Sequence, residues 1–293
     1  MEQAEFYSSS DIEKAVVALK KLRPAYENIL DFYKKVFITQ EEAARHLHLE
    51  PIQIPEHVLP VKIKEGFPLI QMSEFALDTD ASDRLLEALC RMALNANEVL
   101  STAANSILHA MHNGLIESDL LYKNLLDAND AYFQQVADEI DTEKKVLTFF
   151  IYTSVKPSLS VCARELSTHI ASPEAWGKGI CPVCGNSSGL ATIEGQGERY
   201  LFCSFCWTKW RVQRIFCAFC ENEDLKALHY FYSEAEAEYR VDTCDQCKKY
   251  LKTIDIRKID RTFYPPLEQI STLHLDMQAG EMGYQNPMNL YHL

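Results

Sequence analysis

The sequence has no apolar run long enough to cross a bilayer. Its longest, Val146–Val155, falls far short of the roughly 20 residues that a spanning helix needs, and reads as the core of a buried helix. Positive charge is also scarce: 29 lysines and arginines face 42 aspartates and glutamates, for a net charge of −13 and a pI near 5.2. So acidic a chain has no general attraction for nucleic acid or anionic membrane, and neither membrane insertion nor nucleic-acid binding is expected. No secretory signal opens the chain and no low-complexity tract interrupts it. The familiar catalytic signatures are missing too: there is no Gly-x-Gly-x-x-Gly, P-loop, Gly-x-Ser-x-Gly or His-Glu-x-x-His. The nine histidines are scattered. Of the pairs closest in sequence, His46 with His48 and His109 with His112, neither has a nearby carboxylate that completes a convincing site, and both read as surface or structural residues.

What the chain does have is cysteine in a regular pattern. Eight of its ten cysteines form four Cys-x-x-Cys pairs: Cys181/Cys184, Cys203/Cys206, Cys217/Cys220 and Cys244/Cys247. Such a turn aims two sulfurs at one point, so two pairs complete a four-thiolate site. Structural disulfides fit poorly, because Cys-x-x-Cys loops are short and strained. A thioredoxin-like dithiol needs one such pair, not four, and the tighter cysteine runs of iron–sulfur proteins are absent. Four sulfurs suit zinc or a single rubredoxin-type iron equally. With every pair closed into a four-sulfur site, no coordination position stays open for Lewis-acid catalysis, and an enzyme is not expected. The thiolate-rich sites point to the reducing cytoplasm. Cys90 and Cys162 lie on helical stretches and read as small buried hydrophobes.

The segments between the pairs predict the pairing. Leu190–Ile193 and Arg199–Phe202 read as strands around the glycine-bearing turn 194–198, and a hairpin brings its ends together. Cys181/Cys184 should therefore meet Cys203/Cys206. The design repeats in strands 225–232 and 239–243 around the polar turn 233–238, which brings Cys217/Cys220 to Cys244/Cys247. Sequential pairing in two tandem ribbons is favoured over an interleaved cross-brace, with Trp207–Phe216 as the link. Gly185 after the first knuckle can turn amide N–H groups toward sulfur; Trp207, Glu221 and Lys248 occupy that position in the other three, where this loop chemistry is not expected. Lys209, Arg211, Arg214, Lys248 and Lys249 stand near the sites as counter-charge or as solvated surface.

Ahead of the ribbons the periodicity is helical. Residues 11–48 form two segments separated at Pro24, beginning at a cap on Ser10 or Asp11. Four prolines between 50 and 70 predict an extended connection. A helix starting near Ser82 is drawn through to His112, where Asn113-Gly114 stops it. Stretches 117–140 and 143–170 bring the total to at least five helices, the last kinked or interrupted by Pro157. Residues 172–179 are the linker. After the ribbons, Asp255–Phe263 reads as one more strand or turn. Pro265-Pro266 then opens a helix that packs through Leu267, Ile270, Leu273 and Met277, and Gly283–Pro287 is irregular.

The stretch Trp207–Arg214 mixes two tryptophans with three positive charges. Its residues Trp207, Trp210, Arg211 and Arg214 are candidates for binding a partner. The competing reading is that the tryptophans wall the metal sites while the bases offset thiolate charge; base stacking by a nucleic acid is a third.

Cys181–Gly185, Tyr200–Cys206 with Trp210 and Arg214, Cys217–Cys220, Tyr239–Cys247, Tyr250–Lys252 and the tail segments Leu267–Asp276 and Gly283–Pro287 together resemble the FdhE family of formate dehydrogenase accessory proteins. The resemblance implies a cytoplasmic maturation factor. It would bind the catalytic subunit of a molybdenum- or tungsten-dependent formate dehydrogenase and carry two rubredoxin-like sites for iron or zinc. The ligands carried over are Cys181, Cys184, Cys203 and Cys206 at site 1, and Cys217, Cys220, Cys244 and Cys247 at site 2. The expected fold is α+β: a helical bundle (1–171), a linker and first rubredoxin-like ribbon (172–216), then a second ribbon with a C-terminal helical tail (217–293). A rubredoxin-like electron carrier and a zinc-ribbon nucleic-acid binder are the alternatives.

Overall fold

Three serines precede Asp11, and the one three residues before it starts the first helix. The Ser8 hydroxyl accepts the Asp11 N–H at 3.1 Å, and the Asp11 carboxylate takes the Ser8 N–H in return, a reciprocal capping box. The cap therefore lies ahead of the expected Ser10 or Asp11. The structure, a computed structural model, describes residues 7–170 and 176–286. The expected 171/172 boundary, the first half of the linker and Pro287 lie outside the described residues.

Eight helices precede the ribbons among the described residues: α1 (Ser9–Leu22), α2 (Glu27–Ala44), α3 (Leu59–Glu65), α4 (Thr79–Ala93), α5 (Glu98–His112), α6 (Ser118–Leu126), α7 (Asp130–Glu139) and α8 (Lys144–Ser167). The proline-rich connection is not wholly extended. Pro60 sits in the first turn of α3, where its missing N–H costs nothing, and left-handed Gly66 ends the helix. The helix drawn through to His112 is two, since Asn97 caps α5 by accepting the Leu100 N–H.

α8 is the axis of the bundle and packs against α2, α4, α5, α6 and α7. Although its uninterrupted apolar run is short, α8 as a whole is, contrary to expectation, long and apolar enough to cross a membrane; 83% of its apolar window is buried inside the protein. Pro157 does not interrupt it. A proline leaves the carbonyl four residues back without its helical N–H, here that of Thr153. Gln40 of α2 supplies the missing donor, its Nε2 lying 2.6 Å from the Thr153 oxygen.

The ribbons form one sheet: β1 (Ser188–Glu194), β2 (Glu198–Cys203), β3 (Lys209–Val212), β4 (Leu228–Phe231), β5 (Tyr239–Cys244) and β6 (Lys249–Asp255), in the order β3-β2-β1-β6-β5-β4. Each expected hairpin is present, and each gains a third strand after its second knuckle. The segment expected to be the Trp207–Phe216 link supplies β3, paired with β2; β6 occupies a stretch that periodicity had left unassigned. β1 and β6 then pair in parallel, Ala191 opposite Thr253, fusing the two halves.

Neighbouring residues along a strand face opposite ways, so the sheet has two apolar faces. Ala191, Leu201, Trp210 and Leu251 continue the core of the bundle. Leu190, Phe202, Val241 and Tyr250 face the other way and pack with Leu275 and Ala279 of α10 (Leu273–Glu281), while α9 (Pro265–Ser271) joins the bundle core through Leu267 and Ile270. The helix expected from Pro265 breaks at Thr272, which rotates its packing face. Leu275 and Ala279 are buried, while Met277 is 69% exposed, contrary to expectation. Buried Lys252 of β6 ties this layer down, bonding Asp276 at 2.6 Å and the Gln269 carbonyl at 2.9 Å. Arg23 after α1 meets Glu236 in the β4–β5 turn, and Glu236 also bonds His274 of α10.

Candidate metal centres

The four knuckles share one backbone design. The N–H of the residue after each second cysteine bonds the carbonyl of the first in three of them: Gly185 to Cys181, Glu221 to Cys217 and Lys248 to Cys244, each at 2.9 Å. That residue has positive φ in all four: Gly185 at 74°, Trp207 at 61°, Glu221 at 57° and Lys248 at 53°. The loop geometry expected only at Gly185 is therefore universal, and three side-chain-bearing residues accept a left-handed conformation to make it. Amide N–H groups point at sulfur as a result. Phe205 and Cys206 donate to the Cys203 Sγ at 3.3 and 3.4 Å, and Phe219 donates to the Cys217 Sγ at 3.4 Å.

The hairpins bring the knuckles together in sequence order, Cys181, Cys184, Cys203 and Cys206 in one cluster and Cys217, Cys220, Cys244 and Cys247 in the other; within each, the sulfurs lie within 4.8 Å of one another. In the first cluster Cys181–Cys206, Cys184–Cys203 and Cys184–Cys206 stand 3.5–3.7 Å apart, and in the second Cys217–Cys247 and Cys220–Cys244 stand 3.6–3.7 Å apart. A tetrahedral ion with metal–sulfur bonds of about 2.3 Å needs sulfurs about 3.8 Å apart, so each cluster could hold one metal ion. The thiols' own chemistry agrees. Burial raises the pKa of Cys203 and Cys217. Burial also opposes ionisation of Cys206, yet hydrogen bonds from Cys181, Cys184, Cys203 and Thr208 pull it well below the usual thiol range. Cys244 is likewise lowered against burial, by the backbone N–H groups of Cys247 and Gln246. A divalent cation held at either cluster would supply the positive charge that favours the thiolate form.

The surroundings of the two clusters differ. Site 1 is plugged into the bundle. The Leu69 and Ile70 N–H groups, at the end of the proline-rich connection, bond the Pro182 and Val183 carbonyls at 2.9 Å. Tyr152 of α8 donates to the Phe205 carbonyl at 2.8 Å, and the Phe205 ring packs against Phe75 and Tyr152. All four site 1 cysteines are buried, whereas Cys220 and Cys247 of site 2 are partly exposed.

The candidate partner-binding residues do not form one surface. Trp210 is 3% exposed and its indole N–H bonds the Lys178 carbonyl, so it has no face for a partner or a base. Trp207 is half-buried between Phe202 and Lys156, whose Nζ lies 4.8 Å from the ring centroid. Arg211 is half-buried, and exposed Arg214 lies over Gly197 in the β1–β2 turn. Of the expected counter-charges, Lys209 pairs with Glu194 and Lys248 with Asp245. Periodicity gave no sign of Arg199. Buried on β2, it donates to the Phe216 carbonyl just before Cys217 and to Asp242 of β5, joining the two halves. Lys156 gave no chemical signal of its own; only its place on the most apolar helix marks it.

A helical bundle whose axis packs on a sheet of two fused hairpins, each closed by four thiols, defines a class of paired four-thiolate ribbon protein. Residues 180–214 match the family model "FdhE, central domain" and residues 215–291 match "FdhE, C-terminal domain". An FdhE homolog from Aquifex aeolicus is 35% identical over 143 residues, covering 47% of this chain and 49% of that protein. FdhE of Escherichia coli K12 is 35% identical over 108 residues, 36% of this chain and 34% of that one. The chain thus spans about half the length, or less, of the curated relatives it matches. The crystal structure of the FdhE protein from Pseudomonas aeruginosa shares the fold, with TM-score 0.70 and 22% identity over 99% of this chain and 97% of that one. Over residues 180–291, the stretch that holds both clusters, the chain is thus similar to FdhE proteins.

Proposed function

We propose that this protein is an accessory factor for the maturation of a molybdenum- or tungsten-dependent formate dehydrogenase, acting in the cytoplasm by binding the catalytic subunit rather than by catalysis. In this reading Cys181, Cys184, Cys203 and Cys206 hold one zinc or iron ion and Cys217, Cys220, Cys244 and Cys247 a second. Residues 1–171 form the platform from which ribbons 172–216 and 217–293 are presented. The observation that carries the reading is the closure of both clusters: four sulfurs within 4.8 Å of one another could complete a coordination shell, which suits a rigid docking head better than a Lewis acid. The similarity of residues 180–291 to FdhE proteins supports the choice of partner. The test is affinity purification of the tagged chain from an anaerobic, reduced extract of its own host. The formate dehydrogenase catalytic subunit should co-purify, and its consistent absence would overturn the proposal.

A rubredoxin-like electron carrier is the second reading, favoured by the partial exposure of Cys220 and Cys247. Colourless protein holding only zinc, purified from iron-replete anaerobic cells, would remove it.

A further inference from the structure

Site 1 and site 2 have the same ligands and spacing but opposite surroundings. At site 1 the cysteines are at most 6% exposed, and each knuckle is fixed from outside. Pro68 packs against Gly185 so closely that a Cβ there would come within 2.9 Å of its ring. Tyr152 bonds the carbonyls of Ser204 and Phe205, and Trp207 is clamped by Lys156 and Phe202. Its left-handed turns are made by a glycine and by a residue held on both sides.

At site 2 one cysteine of each knuckle, Cys220 and Cys247, is partly open to solvent. The residues making its left-handed turns, Glu221 and Lys248, are exposed and are not glycine. Such conformations cost on the order of 1 kcal/mol each, and the contacts made by these two side chains are surface ones: Glu221 accepts the Gly179 N–H at 3.4 Å, and Lys248 pairs with Asp245 and lies over the Tyr284 ring. Two of the four site 2 cysteines are therefore partly open to an incoming thiol, and both knuckles carry a left-handed residue that is not glycine.

We infer that the two centres divide their labour: site 1 is a structural rivet between sheet and bundle, and site 2 is an exchangeable centre. At site 2 an outside thiolate or other soft ligand replaces Cys220 or Cys247 on the ion and draws the ion out. This rests on the reading that both clusters hold metal. Exchange is a ligand substitution: one metal–sulfur bond breaks as another forms, the displaced cysteine takes up a proton, and no electron is transferred.

The test uses full-length protein reconstituted with Co2+, whose thiolate charge-transfer absorbance reports bound metal. It is challenged with excess EDTA and, separately, with N-ethylmaleimide followed by peptide mass spectrometry. Absorbance should decay in two phases of similar amplitude, with rates differing on the order of ten-fold or more. Peptides bearing Cys220 and Cys247 should be alkylated during the fast phase, and those bearing Cys181, Cys184, Cys203 and Cys206 during the slow one. Cys247→Ser should abolish the fast phase and leave the slow one. The wild-type alkylation order stands independently of whether that variant folds. A single phase with all eight cysteines alkylated together, or earlier alkylation of the site 1 cysteines, would overturn the inference. Protein that takes up one ion decides it by location: an ion retained by the site 1 cysteines supports the inference, and one retained by the site 2 cysteines refutes it. Protein that takes up none would remove the metal-centre reading itself, a result distinct from two ions leaving at equal rates.

Discussion

The knuckle turns show how a single backbone angle constrains the residue that carries it. Glu221 is exposed with φ of 57°, a conformation glycine adopts freely and other L-residues do not. Glu221→Gly should therefore stabilise the protein by about 1 kcal/mol, read as a higher urea midpoint. The same change at Glu223, which has no positive φ, should be neutral or slightly destabilising. Lys156 offers a second test. Burial pushes its pKa down to about 8, against the pull of Glu41. The unfolded lysine titrates near 10.4, so between pH 8 and about 10 the unfolded chain binds more protons than the folded one. Stability should then rise with pH across that window, by up to about 3 kcal/mol from this group. Lys156→Met should abolish this part of the rise, seen as the difference between the variant's and the wild type's urea midpoints at pH 8 and pH 10. The lysine's penalty at neutral pH is offset in part by its contacts with the rings of Trp207 and Phe37.

Among the elements, α8 gives the sharpest test, because its proline has an assigned compensation. Removing the Gln40 donor leaves the Thr153 carbonyl without a partner in a buried helix. Gln40→Leu should cost about 1–3 kcal/mol in urea unfolding. In a Pro157→Ala background the new N–H can reach Thr153, so the same Gln40 change should cost markedly less. The coupling is measured by the double-mutant cycle. The sequence made Pro157 conspicuous but could not show that a side chain from α2 answers it, because that contact joins residues far apart in the chain. The same limit explains the rest of the reading. The hairpins and the cysteine pairing were legible because turns at 194–198 and 233–238 act locally and the sulfurs must converge. β3 and β6 were not: Lys209–Val212 mixes charge with apolar residues over four positions, and the β1–β6 pairing is a parallel, non-local contact with no turn to announce it. Trp210 looked like a surface hot spot because tryptophan next to arginine suits an interface as well as a core. Only the strand it occupies decides between them.

At the scale of the whole molecule, one core runs from the bundle through Cys181, Cys203 and Trp210 into the sheet, so an ion held at site 1 would bear on helices far from it in sequence. The chain's three tryptophans make this measurable. Trp176 bonds the Ile180 carbonyl, Trp210 bonds the Lys178 carbonyl and Trp207 follows Cys206, so all three indoles stand in the site 1 half and none in the second ribbon. Cys184→Ser, which breaks site 1, should shift tryptophan emission to longer wavelength. It should also lower the melting temperature of the helical signal by about 10 °C, since a structural metal site contributes several kcal/mol and each is worth about 2–4 °C in a chain of this size. Cys244→Ser removes a ligand from site 2 and should leave emission nearly unchanged while lowering metal content by one ion per chain. If both variants shifted emission equally, the fused sheet would be transmitting the loss of either ion to the bundle. Site 1 would then be one half of a single cooperative unit rather than the separate joint that its contacts with Leu69, Ile70 and Tyr152 describe.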